Sequence, residues 1–245
     1  MAIDKDFCFL ELDVHTTKGK CKAFLQPGFF PRASATNRYH KHGYAEVHVG
    51  LSGESVFSSD GEHYVLKKGQ LLILPPHRYH CCTHRSEEAK TSSFLAVMEV
   101  TDPCYHSLSP ALLDAYREEL NLIVTDQNFA RLPYYIGLLL TVATGCVLSA
   151  PDVNHHGVLI HDFFNVHYSE DIHIKDLAEH LHLSVRQTER LVKEHTGHSF
   201  RQELFHARLS AAKHLLETTG LSPKEVCIQT GFKSVAELQK TLTVS

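Results

Sequence analysis

IKDLAEHLHLS, residues 174–184, returns as PKEVCIQTGFK, residues 223–233, with Leu177 matched by Val226, Ala178 by Cys227, Leu181 by Thr230 and Leu183 by Phe232. All four matches share an offset of 49 residues, so one small unit occurs twice. In each copy a short helix with a small residue inside it meets a tight turn, and a Ser then stands near the start of a second helix. That is how two helices cross closely in a helix-turn-helix. His182 and Gly231 take the turn position, where a left-handed backbone favours Gly and accepts His less often.

Between the copies, SFRQELFHARLSAAKHLLETTG, residues 199–220, spaces Phe200, Leu204, Leu209, Ala212, Leu215 and Leu216 at helical intervals and ends on Gly. It predicts one helix about 30 Å long. Two major-groove visits on one face of B-DNA lie about 34 Å apart, so such a spacer suits two recognition helices in successive grooves.

Upstream, APDVNHHG at residues 150–157 is a polar break, read here as a domain boundary. Before it, from about Pro110 to Ala150, Leu112, Leu113, Tyr116, Leu120 and Ile123 fall at helical spacing and predict two helices. Leu132–Pro151 runs twenty residues without a charge, the length of a membrane span. Its Pro133, Gly137, Gly145 and hydroxyls, without basic flanks, favour a buried or dimer-forming helix instead. From Phe7 to about Val100 the texture changes again. EVHVGLSGESVFSSDGEHYVLKKGQLLILPP, residues 46–76, reads as strand, Gly turn, strand, Asp-Gly hairpin, strand, Gly turn and strand, an antiparallel sandwich or barrel.

The totals bound the function. The 245 residues are 43% apolar with a formal charge of −4, ample for packed cores and without bulk attraction to nucleic acid or acidic membrane. Seven scattered cysteines form no Cys-x-x-Cys pair, which argues against a disulfide framework and a zinc knuckle and for a reducing cytoplasm. The N-terminus lacks the basic then apolar layout of a signal peptide. Twenty histidines, eleven of them after Asn154, make a pH or metal response conceivable; His155-His156 in the break reads as a chance pair.

HKHGYAEVHVGLSG places His40, His42, Glu46 and Gly53 as His-x-His-x3-Glu-x6-Gly, and GQLLILPPHRYH places Gly69, Pro75 and His80 as Gly-x5-Pro-x4-His. This resembles the spacing of both cupin motifs, departing at Ser34 and His77, where those motifs usually have Gly. Alternation puts His40 and His42 on one strand face, and a barrel can bring Glu46 and His80 beside them, a set that suits a divalent first-row metal. Three readings stay open: residues lining a small-effector pocket, a metal site, or structural histidines.

The order LAEHLHLSVRQTERLVKEHTG, FRQELFHARLSAAKHLLETT, SPKEVCIQTGF resembles the DNA-binding domain of AraC/XylS-type regulators over about seventy residues. The His-x-His and distal Pro-x4-His resemble the sensor half of many such regulators, which bind a small effector without a required metal. The resemblance implies an α+β chain: a cupin-like antiparallel β-barrel (1–108), a helical dimerisation and linker segment (109–150) and a double helix-turn-helix domain (158–245). It implies DNA and a small effector as partners, a homodimer through the barrel and the helices around Leu112–Ile123 and Tyr134–Leu148, no membrane, and no required cofactor, with a divalent metal as an option.

Carried onto this chain, the recognition faces offer Ser184, Arg186, Gln187, Arg190 and Lys193 in the first unit and Lys233, Ser234 and Glu237 in the second, types that reach base edges and phosphates. Arg186 with Glu189 and Arg190 with Glu194 have an alternative as solvent-face pairs. Two features depart from the family. Leu238 and Leu242 stand where Phe is usual and the sequence stops at Ser245, so the second unit is short. Residues 158–245 carry ten Lys/Arg against eleven Asp/Glu, so no basic field drives non-specific binding. The rival readings are a metal-dependent cupin isomerase or dioxygenase with a vestigial helical tail, and a sensor whose helical half contacts another protein.

Overall fold

The computed structural model describes residues 10–25, 38–126, 128–143, 147–148 and 155–244. Ser34, Cys8, Cys146 and most of the polar break lie outside them. Ten strands come first: β1 (Leu10–Thr16), β2 (Gly19–Leu25), β3 (Ala45–Ser52), β4 (Glu54–Ser59), β5 (Glu62–Lys67), β6 (Gln70–Leu74), β7 (His80–Arg85), β8 (Lys90–Ala96), β9 (Met98–Glu99) and β10 (Cys104–Ser107). They form a six-stranded sheet in the order β1-β2-β8-β3-β6-β10 and a three-stranded sheet β5-β4-β7.

The 46–76 stretch folds as its pattern predicts. Strand β4 pairs with β5 from Glu54↔Lys67 to Ser59↔Glu62 around Asp60-Gly61. Both turn residues have positive φ, 50° and 82°, as a tight two-residue hairpin with the strands' right-handed twist requires. Val47, Val49, Leu71, Ile73 and Phe94 are fully buried in the core of the large sheet, and Phe57, Leu66, Leu72 and Leu74 form a second cluster.

Two helices follow, α1 (Pro110–Asp126) and α2 (Leu132–Val142). Pro133 stands in the first turn of α2, where its missing N–H costs nothing. The helix lies so close on β1 that a Cβ at Gly137 would stand 2.5 Å from the His15 carbonyl oxygen. The expected helix through Leu148 is corrected: α2 stops at Val142, and Val147–Leu148 pair as β11 with β9. The uncharged run is therefore broken, and among the described residues no helix is long and apolar enough to cross a membrane.

The remainder is helical: α3 (His155–His167), α4 (Ile174–His180), α5 (Val185–Thr196), α6 (Phe200–Thr218), α7 (Pro223–Thr230) and α8 (Val235–Val244). Helix α3 begins inside the stretch read as a break, so His155-His156 belong to its first turn. The repeat is real in three dimensions. Leu177 and Val226 are fully buried, Ala178 and Cys227 nearly so, and His182 and Gly231 both adopt left-handed backbone, with φ of 53° and 76°. After that turn the copies drift by one residue, because the caps are Ser184 and Ser234 and the buried residues one turn on are Thr188 and Leu238. Helix α6 spans nineteen residues, about 28 Å, between the two units. Helix α8 packs Leu238 completely into the second unit's core.

Candidate functional site

The four sequence-selected pocket residues converge. Glu46 comes from β3, His80 opens β7, and His40 and His42 come from the segment leading into β3. An isolated antiparallel bridge registers the two strands: the His40 N–H donates to the His80 carbonyl at 2.9 Å and the His80 N–H returns to the His40 carbonyl at 2.8 Å. One ligand atom from each of the four side chains lies within 4.8 Å of all the others. His42, Glu46 and His80 are buried and His40 half-buried.

Each imidazole is anchored through Nδ1. His40 Nδ1 sits 3.0 Å from the Arg38 carbonyl, His80 Nδ1 2.9 Å from the Arg78 carbonyl, and His42 Nδ1 2.9 Å from Asp162 Oδ1. Carbonyl and carboxylate oxygens only accept, so each Nδ1 carries a proton and each Nε2 is the atom left for the pocket. Glu46 Oε2 gathers the neighbouring nitrogens, with His80 Nε2 at 2.7 Å, His48 Nε2 at 3.2 Å and His42 Nε2 at 3.6 Å.

The charges follow from this crowding. Burial disfavours a charged His42, but the Asp162 and Glu46 carboxylates outweigh it and raise its pKa to about 9. Desolvation, with His80 and His42 beside it, drives His40 down to about 3. Burial would raise Glu46, yet the His48 and His42 charges and the His80 hydrogen bond hold it well below the usual carboxylate range.

The donor set fits a divalent metal. His42 Nε2 and His48 Nε2 are buried and fall outside good hydrogen-bond geometry, sharing with His80 the single oxygen Glu46 Oε2; incomplete pairing of this kind costs up to about 1–3 kcal/mol per group. Three imidazole nitrogens and one carboxylate are the ligands that first-row divalent ions take. With metal–ligand bonds of about 2.0–2.2 Å, opposed ligand atoms stand about 4.4 Å apart or less, so a shift of a few tenths of an ångström closes the set.

Two residues of this site escaped the sequence. His48 was legible, since it alternates with Glu46 along β3 and so shares its face; its ring also lies 4.2 Å from that of Phe57. Asp162 had no signal, because it belongs to α3 in the helical half, 120 residues beyond His42.

The second candidate surface lies on α5 and α8. Ser184 caps α5 with its Oγ accepting from the Gln187 N–H at 3.4 Å, and Gln187 Oε1 accepts from the Ser184 N–H at 3.1 Å. Ser234 and Glu237 do the same for α8: Ser234 Oγ accepts from the Glu237 N–H at 3.2 Å, and Glu237 Oε2 accepts from the Lys233 N–H at 3.0 Å. Four of the eight selected side chains thus hold helix ends. Arg186, Arg190, Lys193 and Lys233 are exposed. None of these four forms an ion pair among the described residues, so the alternative pairing of Arg186 and Arg190 with Glu189 and Glu194 is not formed. Lys240, one turn further on α8, is exposed as well.

Comparison with known proteins places these features. A helix-turn-helix domain family matches residues 177–243 and a cupin domain family matches residues 30–98. The chain is 22% identical to the uncharacterized HTH-type transcriptional regulator YbfI of Bacillus subtilis, over 81% of this chain and 80% of that one. It is likewise 22% identical to the HTH-type transcriptional activator RhaS of Salmonella arizonae, over 87% and 85% of the two chains. Among solved structures, ToxT of Vibrio cholerae O395 aligns at 12% identity and a TM-score of 0.36, covering 97% of this chain and 94% of its own. A cupin-like half thus precedes two linked helix-turn-helix units, the build of an AraC-type DNA-binding transcription regulator.

Proposed function

We propose that this regulator holds a divalent first-row transition metal at His40, His42, Glu46 and His80, and that occupancy of the pocket sets its affinity for an operator contacted through Arg186, Arg190, Lys193 and Lys233. The observation that carries the metal reading is the orientation of three rings, each tethered at Nδ1 with Nε2 left for one point beside a carboxylate. A bound ion would supply a fixed positive charge there; the protein supplies the ligands and their tautomers. A small polar effector is the second reading, since the incompletely hydrogen-bonded Nε2 atoms of His42 and His48 would also serve a hydroxyl or carboxylate. The relatives carry the names of regulators, and no catalytic role is proposed.

A homodimer is part of this reading. Tyr134 and Leu138 on α2, 74% and 52% exposed, and Leu122 and Val124 on α1 leave apolar surface on the two helices assigned to dimerisation. Two half-sites held together would offset the lack of a basic field.

Metal analysis of the purified protein, paired with titration of its upstream DNA before and after chelation, tests the proposal. Stoichiometric metal lost in His42→Ala/His80→Ala, with a metal-dependent change in DNA affinity, supports it. Metal-free protein whose DNA binding responds to a small polar compound instead would transfer the pocket to the effector reading.

A further inference from the structure

The pocket is not closed by the sensor half alone. The Nδ1 of His42 is held by Asp162 of α3, at 2.9 Å, and this carboxylate is largely buried, its side chain 12% exposed. The chain segment that carries His40 and His42 is gripped by the same helical half along its length. The Tyr168 hydroxyl, at the end of α3, donates to the Tyr39 carbonyl. Gln229 Oε1 of α7 accepts from the Tyr39 N–H at 3.3 Å, and Arg38 reaches Ser169 Oγ at 3.1 Å. Around this grip, His214 of α6 meets Asp60 at 3.0 Å, and the ring of Tyr79 packs against those of Tyr168 and His214. The hairpin tip is pressed so closely that a Cβ at Gly61 would lie 2.7 Å from the Thr218 carbonyl at the end of α6.

We infer that Asp162 is a positioning residue for the pocket's metal, acting through His42, and that metal occupancy and docking of the DNA-binding half onto the sensor are therefore one coupled equilibrium. This rests on the metal reading above. Acceptors behind ligating histidines fix the ring's tautomer and orientation and raise the basicity of the ligating nitrogen, and their loss typically lowers metal affinity about 10–100-fold. Here that acceptor is supplied by the other half of the molecule. When α3 undocks, His42 loses its orienting partner, and His40 and His42 together lose the contacts that fix their segment; the site is then weakened without any change in its four ligands. Linkage makes the relation reciprocal: whatever metal gains from the docked state, docking gains from metal.

The experiment uses the full chain of wild type, Asp162→Asn, Tyr168→Phe and His42→Ala/His80→Ala. Zn²⁺ affinity is measured by competition with a chromophoric chelator, and amide hydrogen exchange across α3 is followed with and without Zn²⁺. Wild type is expected to bind one equivalent that the double His variant loses. Asp162→Asn, which keeps the shape and removes the charge, is expected to weaken Zn²⁺ by about 10–100-fold. Tyr168→Phe touches no ligand and is expected to weaken it by a smaller factor. Zn²⁺ is expected to slow exchange in α3 of wild type and not of Asp162→Asn. The exchange arm on wild type keeps the test open even if a variant folds poorly. Wild type that binds Zn²⁺ through His42 and His80, with affinity within twofold in Asp162→Asn and no change in α3 exchange, overturns the coupling and leaves the metal reading standing. Absence of Zn²⁺ binding by wild type, or binding that survives the double His substitution, overturns both.

Discussion

Gly231 lies beneath Arg208: a Cβ at that position would stand 3.1 Å from Arg208 Nε and 3.0 Å from the Ser169 carbonyl oxygen. Arg208 cannot retreat freely, because its Nε donates to the Tyr168 carbonyl at 2.7 Å and its NH2 group to the Glu170 carbonyl at 2.8 Å. The matching turn of the first unit carries the exposed His182 on the same left-handed backbone. Gly231→Ala is expected to destabilise the protein by about 1–3 kcal/mol, from backbone strain and crowding together. His182→Gly should change stability by about 0.5 kcal/mol or less, since relief of the left-handed penalty is offset by glycine's greater unfolded-state entropy. Urea denaturation of the two variants checks the asymmetry; effects equal in size and opposite in sign would mean that the backbone angle alone decides these positions.

Arg186→Ala/Arg190→Ala should leave melting unchanged, because both side chains are exposed and unpaired among the described residues. Operator affinity is expected to fall. If each arginine neutralises one phosphate, the slope of log K against log salt becomes shallower by about 0.9 per residue. Fluorescence anisotropy over a salt series reads this directly. An unchanged slope with lost selectivity would assign them to base edges instead.

Leu238→Ala removes a fully buried side chain from the second unit. A loss of about 2–5 kcal/mol is expected, concentrated in α7 and α8, with DNA binding abolished and the His and Glu pocket's metal affinity lowered through the lost Gln229–Tyr39 contact, by less than in Asp162→Asn. Hydrogen exchange mapped by segment tests whether the loss stays there.

Metal binding should raise thermal stability by mass action. At a free metal concentration 100 times Kd the gain is about 2.7 kcal/mol, and a chain of this size shifts by about 2–4 °C per kcal/mol. Scanning calorimetry with and without chelator should show the shift in wild type and lose it in Glu46→Gln, which keeps the side-chain shape but gives up the one carboxylate ligand.

Much of the architecture was written in local pattern. Asp60-Gly61 fixed a hairpin, the turn positions His182 and Gly231 marked both helix-turn-helix units, and the two cupin-like spacings selected four residues that do meet. These signals survive because they depend on backbone geometry within a few residues. Where the reading failed, tertiary pairing had overridden local composition: an uncharged run looked like continuing helix, yet Val147–Leu148 pair with Met98–Glu99. A polar stretch with two histidines looked like a linker, yet α3 starts there. The hold of Asp162 on His42 could not be read at all, since neither residue's neighbours encode a contact across 120 positions.

Helix α3 opens the DNA-binding half and also walls the sensor's pocket. Its dual membership restricts how such a regulator can be recombined. A sensor transplanted to a foreign DNA-binding half would arrive without the carboxylate behind His42, and a helical half cut free would leave Tyr168 and Asp162 facing water. Because α3 also packs Ile160, Phe163 and Phe164 against Leu177, Leu181 and Val192 in the first unit's core, a seam on either side of it leaves one half incomplete.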